Sequence, residues 1–304
     1  MELLLSSLLA AIQGAVAQGI LWGIMTLGVY ITFKILDYAD LTVDGSFALG
    51  GAVSAVLIIK GVPPFITLFI ATFAGMLAGM VTGLLHTKLK IPAILSGILS
   101  MIALYSVNIR IQGKANISLL GEPTLFSQIK EWFGFSNVVT SLIIGISFTV
   151  LSIAFLYWFF GTEIGSAIRA TGNNEEMVRA LGANTDWMKI IGLLLSNGFV
   201  ALSGALVAQS QGFADVGMGT GTIIVGLASV IIGEVIFGKR FSFAYKLFSV
   251  VVGSIIYRVI IAIVLQLGMQ STDLKLLTAV VVAFALSFPV LKQNREAKKR
   301  ARVK

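Results

Sequence analysis

Few residues in this chain have the type and spacing to do chemistry, and the densest group is TGNNEEMVRALGANTDWMK, residues 171–189. Asn173 offers a side-chain oxygen to the amides of the next turn, while Glu176, three positions on, reaches back to its backbone. Gly182 supplies the left-handed residue that closes a helix. Glu175 and Glu176 suit the positive end of the helix dipole. This prepares mechanical rather than covalent work. Two turns span about 12 Å and are too short to be stable alone, so the segment Asn174 to Leu181 must pack on something. Met177, Val178, Ala180 and Leu181 give it more apolar surface than a lipid-proximal linker needs, and Arg179 points elsewhere. It is either a docking surface for a cytoplasmic partner or an ordinary connection between helices.

A second group is ionic. Arg258 and Glu234 both fall inside apolar runs, where an unpaired charge costs several kcal/mol and faces a partner or a cavity. Glu234 is the nearest opposite charge to Arg258 by sequence, so the two are expected to pair. Asn108, Asn197 and Gln209 are further buried polar candidates, able to bridge helices or to meet a solute. A third group, Asp44, Gly45, Ser46 and Gly51 early and Gly219, Gly221 and Gly226 late, marks a place where backbones approach or a helix breaks. For single glycines, plain helix packing explains as much.

Other chemistry is excluded. GEVIFGKR, Gly233 to Arg240, is near a Walker A loop, but Arg240 stands where the Mg²⁺-binding Ser or Thr belongs, and the stretch ends an apolar span. His86 is the one histidine and there is no Cys, so neither a metal centre nor a hydrolytic triad has its parts. No cofactor is expected on this chain. His86 beside Lys88 and Lys90 reads as an interfacial residue.

The elements that must position these groups are membrane helices. Of 304 residues, 57% are hydrophobic and 12% charged, far from the balance of a soluble domain. The pattern predicts an all-α polytopic bundle, one transmembrane unit over 1–304 with about nine spans at 8–33, 45–60, 64–87, 92–112, 137–160, 187–210, 220–238, 241–267 and 273–291. AVAQ at 15–18 resembles a signal-peptidase site, but Glu2 replaces the usual basic start and the apolar run continues, so a retained span is expected. With the C-terminus cytoplasmic, 16 Lys and Arg fall inside and five outside, which puts the N-terminus outside and loop 161–189 in the cytoplasm. The tail KQNREAKKRARVK then anchors orientation and touches anionic lipid; nucleic acid is not expected as a partner. Gly75, Gly79 and Gly83 form a flat packing face on the third span.

ADLTVDGSFALGGAVSAV from Ala39 matches ADVGMGTGTIIVGLASVI from Ala214 at an offset of 175 residues, aligning Asp40 with Asp215, Gly51 with Gly226 and Ser54 with Ser229. Five crossings separate the start of one copy from the start of the other, so the repeat is inverted, with halves near 8–112 and 187–291. Such repeats point to a solute pathway near the midplane.

GSAIRATGNNEEMVRALGANTDWMKIIGLLLSNGFVALSGALVAQSQG, Gly165 to Gly212, resembles the coupling loop of permease subunits in ATP-binding-cassette importers of the branched-chain amino acid and ribose type. DLTVDGSFALGGAVSAV is similar to the entry of that family's second span, and YITFKILDYADLTVDGS resembles its tryptophan/tyrosine transport subgroup. The resemblance spans nearly the whole chain. It implies that Asn174 to Leu181 seats in a groove of a separate ATPase subunit, which holds ATP and Mg²⁺. It also implies that two permease copies, as a homodimer, enclose the path and that a substrate-binding protein delivers an amino acid, aromatic in the nearest subgroup, from outside. GNNEE departs from the more variable sequences of relatives. A secondary transporter, which also uses inverted repeats, and a structural scaffold are the competing readings.

Overall fold

The computed structural model describes residues 2–237, 242–270, 273–274, 276–284 and 287. It is helical almost throughout. Helix α1 (Glu2–Tyr30) runs on through a π-helical turn, Ile31–Ile35, and α2 (Thr42–Ile59), α3 (Pro64–Thr87) and α4 (Ala93–Gln112) follow. After strand β1 (Asn116–Ser118) come α5 (Leu125–Phe133), α6 (Asn137–Phe159), α7 (Glu163–Asn173), α8 (Glu175–Ala180) and α9 (Thr185–Gln211). Strand β2 (Phe213–Asp215) and a 3-10 turn (Val216–Gly219) lead into α10 (Thr222–Phe237) and α11 (Phe243–Gln266).

Among the described residues, 8 helices are long and apolar enough to cross a membrane. Nine were expected from the sequence. The ninth, 273–291, lies partly outside the described residues, as does the end of GEVIFGKR; the basic tail lies wholly outside them. Short α5 and the two-stranded ribbon β1–β2 were not anticipated. The ribbon is antiparallel, with Ile117 opposite Ala214, and closes one end of the bundle.

Helix α9 is the hub, buried over most of its length and packed against α1, α2 and α3. Glycine lets it approach so closely. A Cβ on Gly75, Gly79 or Gly83 would meet Ala201, Leu193 or Ile190 of α9, so the flat face expected on the third span is a packing face. Outward, α3 presents Phe65, Phe69, Phe73 and Leu77, and α6 presents Val150, Leu151, Tyr157 and Trp158. These are surfaces for lipid, whose tails are as apolar as the side chains they touch.

Candidate functional site

At the end of the bundle opposite the ribbon, the short α8 stands clear of the spans. Its cap is Asn174, not Asn173: the Met177 amide donates to Asn174 Oδ1 at 3.0 Å, while Asn173 is the last residue of α7. With Asn174 at the cap, the third helical position falls on Met177, so the reciprocal bond expected from Glu176 has no register in which to form. Gly182 closes the helix at φ +85°, a conformation that costs glycine little, and its amide donates to the Arg179 carbonyl at 3.0 Å.

Glu175 ties this peg to α9. Its carboxylate accepts from Lys189 Nζ at 2.6 Å, from Arg179 at 2.8 Å and from the Thr185 hydroxyl at 3.1 Å. Partial burial pulls the Glu175 carboxyl upward, but the Lys189 bond and charge, the Thr185 bond and the Arg179 charge outweigh it and hold it below its usual range. The apolar residues divide by task. Val178 is buried as the anchor, whereas Met177 and Leu181 are 48% and 77% exposed. Trp187, at the start of α9, is exposed as well. On the other flank, Gly172 of α7 lies on Ile35 and Leu36, where any larger residue would strike the Ile35 carbonyl. Asp186 of α9 meets Lys88 at 3.3 Å, so three connections gather at this end. His86 accompanies them structurally, its Nδ1 2.8 Å from the Ile91 carbonyl oxygen and its ring edge-on to Tyr38.

Deeper in the bundle, the two copies of the repeat meet. Asp40 Oδ1 accepts from the Thr42 amide at 2.9 Å, and Asp215 Oδ1 accepts from the Gly217 amide at 2.7 Å, the same local bond at both aligned positions. Asp40 is buried, and Asn197 of α9 serves it by donating to Asp40 Oδ2 at 2.7 Å while accepting from Ser46 Oγ at 2.7 Å. Asp44, in the first turn of α2, caps α10. Its carboxylate accepts from the Gly221 amide at 2.8 Å, from the Ile223 amide at 2.9 Å and from the Thr222 hydroxyl at 2.9 Å. One carboxylate thus stands at two positive helix ends, an arrangement that favours the anion twice.

Asp44, Gly219 and Gly221 therefore come together, and Gly219 lies on the Asp44 carbonyl. The other glycines are spacers. Gly45 backs onto Leu104 of α4, Gly51 onto Met218, and Gly226 onto Val29 of α1. Beside this junction is an open cleft of about 360 Å³, lined by Asp44, Gly45, Tyr105, Asn108 and Thr220 among others. Asn108 donates to the Gly45 carbonyl at 3.2 Å, and Gln209 bridges Ser54, Thr67 and the Leu125 amide.

The expected pairing of Glu234 with Arg258 is not made. Glu234 pairs with Lys34 at 2.9 Å, because α10 runs back beside the π-helical turn of α1. Arg258 instead lies over the Trp22 ring, 3.8 Å from its centroid. Nothing in the sequence marked Lys34 as more than a topogenic charge.

Residues 6–287 match the family model for the permease component of branched-chain amino acid transport systems. The chain is 42% identical over 274 residues to a tyrosine transport system permease protein of Clostridioides difficile, covering 90% of each chain. It is 35% identical over 276 residues to an uncharacterised protein of Rickettsia prowazekii, covering 90% of this chain and 95% of the relative. A shorter match, 30% identical over 99 residues, covers 31% of this chain and 29% of the autoinducer 2 import system permease protein LsrC of Escherichia coli. No solved structure matches the chain.

Proposed function

Because the chain belongs to the family of branched-chain amino acid transport system permease components, we propose that it is the membrane subunit of an importer driven by a separate ATP-binding-cassette ATPase. In this reading two copies enclose the solute path, a substrate-binding protein docks on the ribbon end, and ATP and Mg²⁺ are held by the ATPase. The solute is an amino acid, and the relative named for tyrosine transport favours an aromatic one. In this reading α7 and α8 face the cytoplasm, with the N-terminus outside and the C-terminus inside; the bias of Lys and Arg supports that orientation.

The observation that carries this reading is the build of α8. A six-residue helix has no reason to be stiff in isolation, yet this one is capped at both ends and bound through Glu175 to the start of α9. It also holds Met177 and Leu181 outward. Closure of an ATPase dimer would push two such pegs together, and each push would pass through Glu175 and Lys189 into α9, the helix on which α1, α2 and α3 all pack. Asp40, Asn197 and Ser46 then link α9 to the start of α2, and Asp44 links α2 to α10. Of the expected pathway residues, Asp44, Ser46, Gly219 and Gly221 belong to this linked junction, and Gly45, Gly51 and Gly226 pack against Leu104, Met218 and Val29. A secondary transporter would need a free carboxylate for a coupling ion, whereas Glu234 is engaged by Lys34, Asp40 by Thr42 and Asn197, and Asp44 by the start of α10.

Reconstitution with the ATPase and the binding protein tests the proposal. Uptake should require ATP and all three proteins. Gradient-driven uptake by this chain alone, with no ATPase co-purifying, would replace it with the secondary-transporter reading.

A further inference from the structure

Between α1, α2, α9 and the β2 segment lies a second cavity, of about 310 Å³, at the low end of the roughly 300–1,000 Å³ typical of small-molecule sites. Its lining is unlike that of the lipid-facing surfaces. Three aromatic rings, Trp22, Phe47 and Phe213, share it with the carboxylate of Asp215 and the amides of Asn116 and Gln211. Trp22 is 9% exposed, and its indole N–H is buried with no hydrogen-bond partner in the structure. A buried donor left unpaired is a standing cost. The ring itself is firmly placed, with the Arg258 guanidinium 3.8 Å from its centroid and Phe47 packed at 4.9 Å.

Asp215 has capacity to spare. Its Oδ1 accepts from the Gly217 amide at 2.7 Å and its Oδ2 only from Asn116, at 3.3 Å. Two carboxylate oxygens offer about four lone-pair sites, so an ammonium group can still be received. We propose that this cavity binds an aromatic solute bearing an ammonium group. The ring packs among Trp22, Phe47 and Phe213, and the ammonium donates to Asp215. That this ligand is the transported solute rests on the importer reading; binding by the cavity does not.

The test is equilibrium binding of radiolabelled tyrosine to the full-length chain in nanodiscs, with three competitors. Tyramine keeps ring and ammonium, 3-(4-hydroxyphenyl)propionate lacks the ammonium, and leucine lacks the ring. Tyramine should compete, and the other two should do so about 10- to 100-fold more weakly, the worth of a charge-assisted bond or of aromatic packing. Asp215→Asn keeps an oxygen for the Gly217 amide, and therefore the local turn, but removes the charge. It also gives up the exposed 3.3 Å bond from Asn116 to Oδ2, so it should weaken tyrosine by about 10- to 100-fold with only a slight fall in Tm. No tyrosine binding by the wild-type chain, equal competition by leucine, or full affinity in folded Asp215→Asn and Phe47→Ala variants would each overturn the proposal. ATP-driven uptake by the assembled complex alongside such a failure would leave the importer reading standing. Tyrosine binding without any ATP-driven uptake would remove that reading and keep the cavity.

Discussion

Replacing Asp44 by Asn asks whether the junction between α2 and α10 is held as described. The carboxylate accepts the Gly221 amide on Oδ2 and both Thr222 and Ile223 on Oδ1. In Asp44→Asn the amide oxygen can keep the Oδ1 pair, but the amide nitrogen then faces the Gly221 N–H, donor against donor. One charge-assisted bond is lost, about 1.5–3 kcal/mol. The anion also disappears from two helix N-termini, each worth about 0.3–1 kcal/mol. Together these predict a destabilisation of about 2–5 kcal/mol. Thermal unfolding in nanodiscs should show Tm falling by roughly 3–8 °C. Amide exchange should quicken first at 221–225, the start of α10, before α9 is affected. A variant within about 1 kcal/mol of the parent, with α10 still protected, would refute the reasoning, because the carboxylate would then not be what joins the two helices.

Met177→Pro places a ring where the amide donates to the Asn174 cap, so α8 should unravel while the spans insert normally. ATP hydrolysis by the complex should continue with uptake lost, and normal uptake by this variant would speak against the lever. Lys34→Glu or Glu234→Lys alone should each destabilise the chain by about 1–3 kcal/mol in thermal melts, and the double exchange should recover most of it. No recovery would mean that the pair is not a unit. The Glu175 network should respond to acid. Its folded carboxyl lies below the ordinary glutamate range, so its stabilisation is complete above the unfolded value, about 4.3, and is lost as pH falls through the folded value. A nitroxide on Leu181→Cys should give a constant spectrum from about pH 8 to 5 and sharpen below about pH 4. Glu175→Gln should be mobile throughout.

What could be read from the sequence follows from how local each signal is. Gly182 ends α8 because a left-handed closing residue is a property of a few neighbouring residues. The cap slipped by one position because 173 and 174 are both Asn. Which one caps depends on how far α7 continues, and its end packs by Gly172 on the distant Ile35. The aligned aspartates at 40 and 215 were visible as a repeat, and each makes the same bond to the amide two residues on. Their different surroundings were not visible: Asp40 is met by Asn197, 157 positions away in sequence, and Asp215 by Asn116. The mistaken partner for Glu234 has the same origin. Proximity along the chain suggested Arg258, whereas a π-helical turn at the end of α1 presents Lys34 to the returning α10. Hydropathy counts residues in a span and carries no record of which turn is widened.

The central claim is that α8 is a peg on the inner side that bears on a separate ATPase. The chain contains no Cys, so a single thiol reports cleanly. Leu181→Cys, 77% exposed in the parent residue, should form a cross-link to the ATPase subunit in the assembled complex. In intact cells it should resist a membrane-impermeant maleimide added from outside. A thiol at this position that is labelled from outside, or that joins no other polypeptide in a complex active in ATP-driven uptake, would contradict the account.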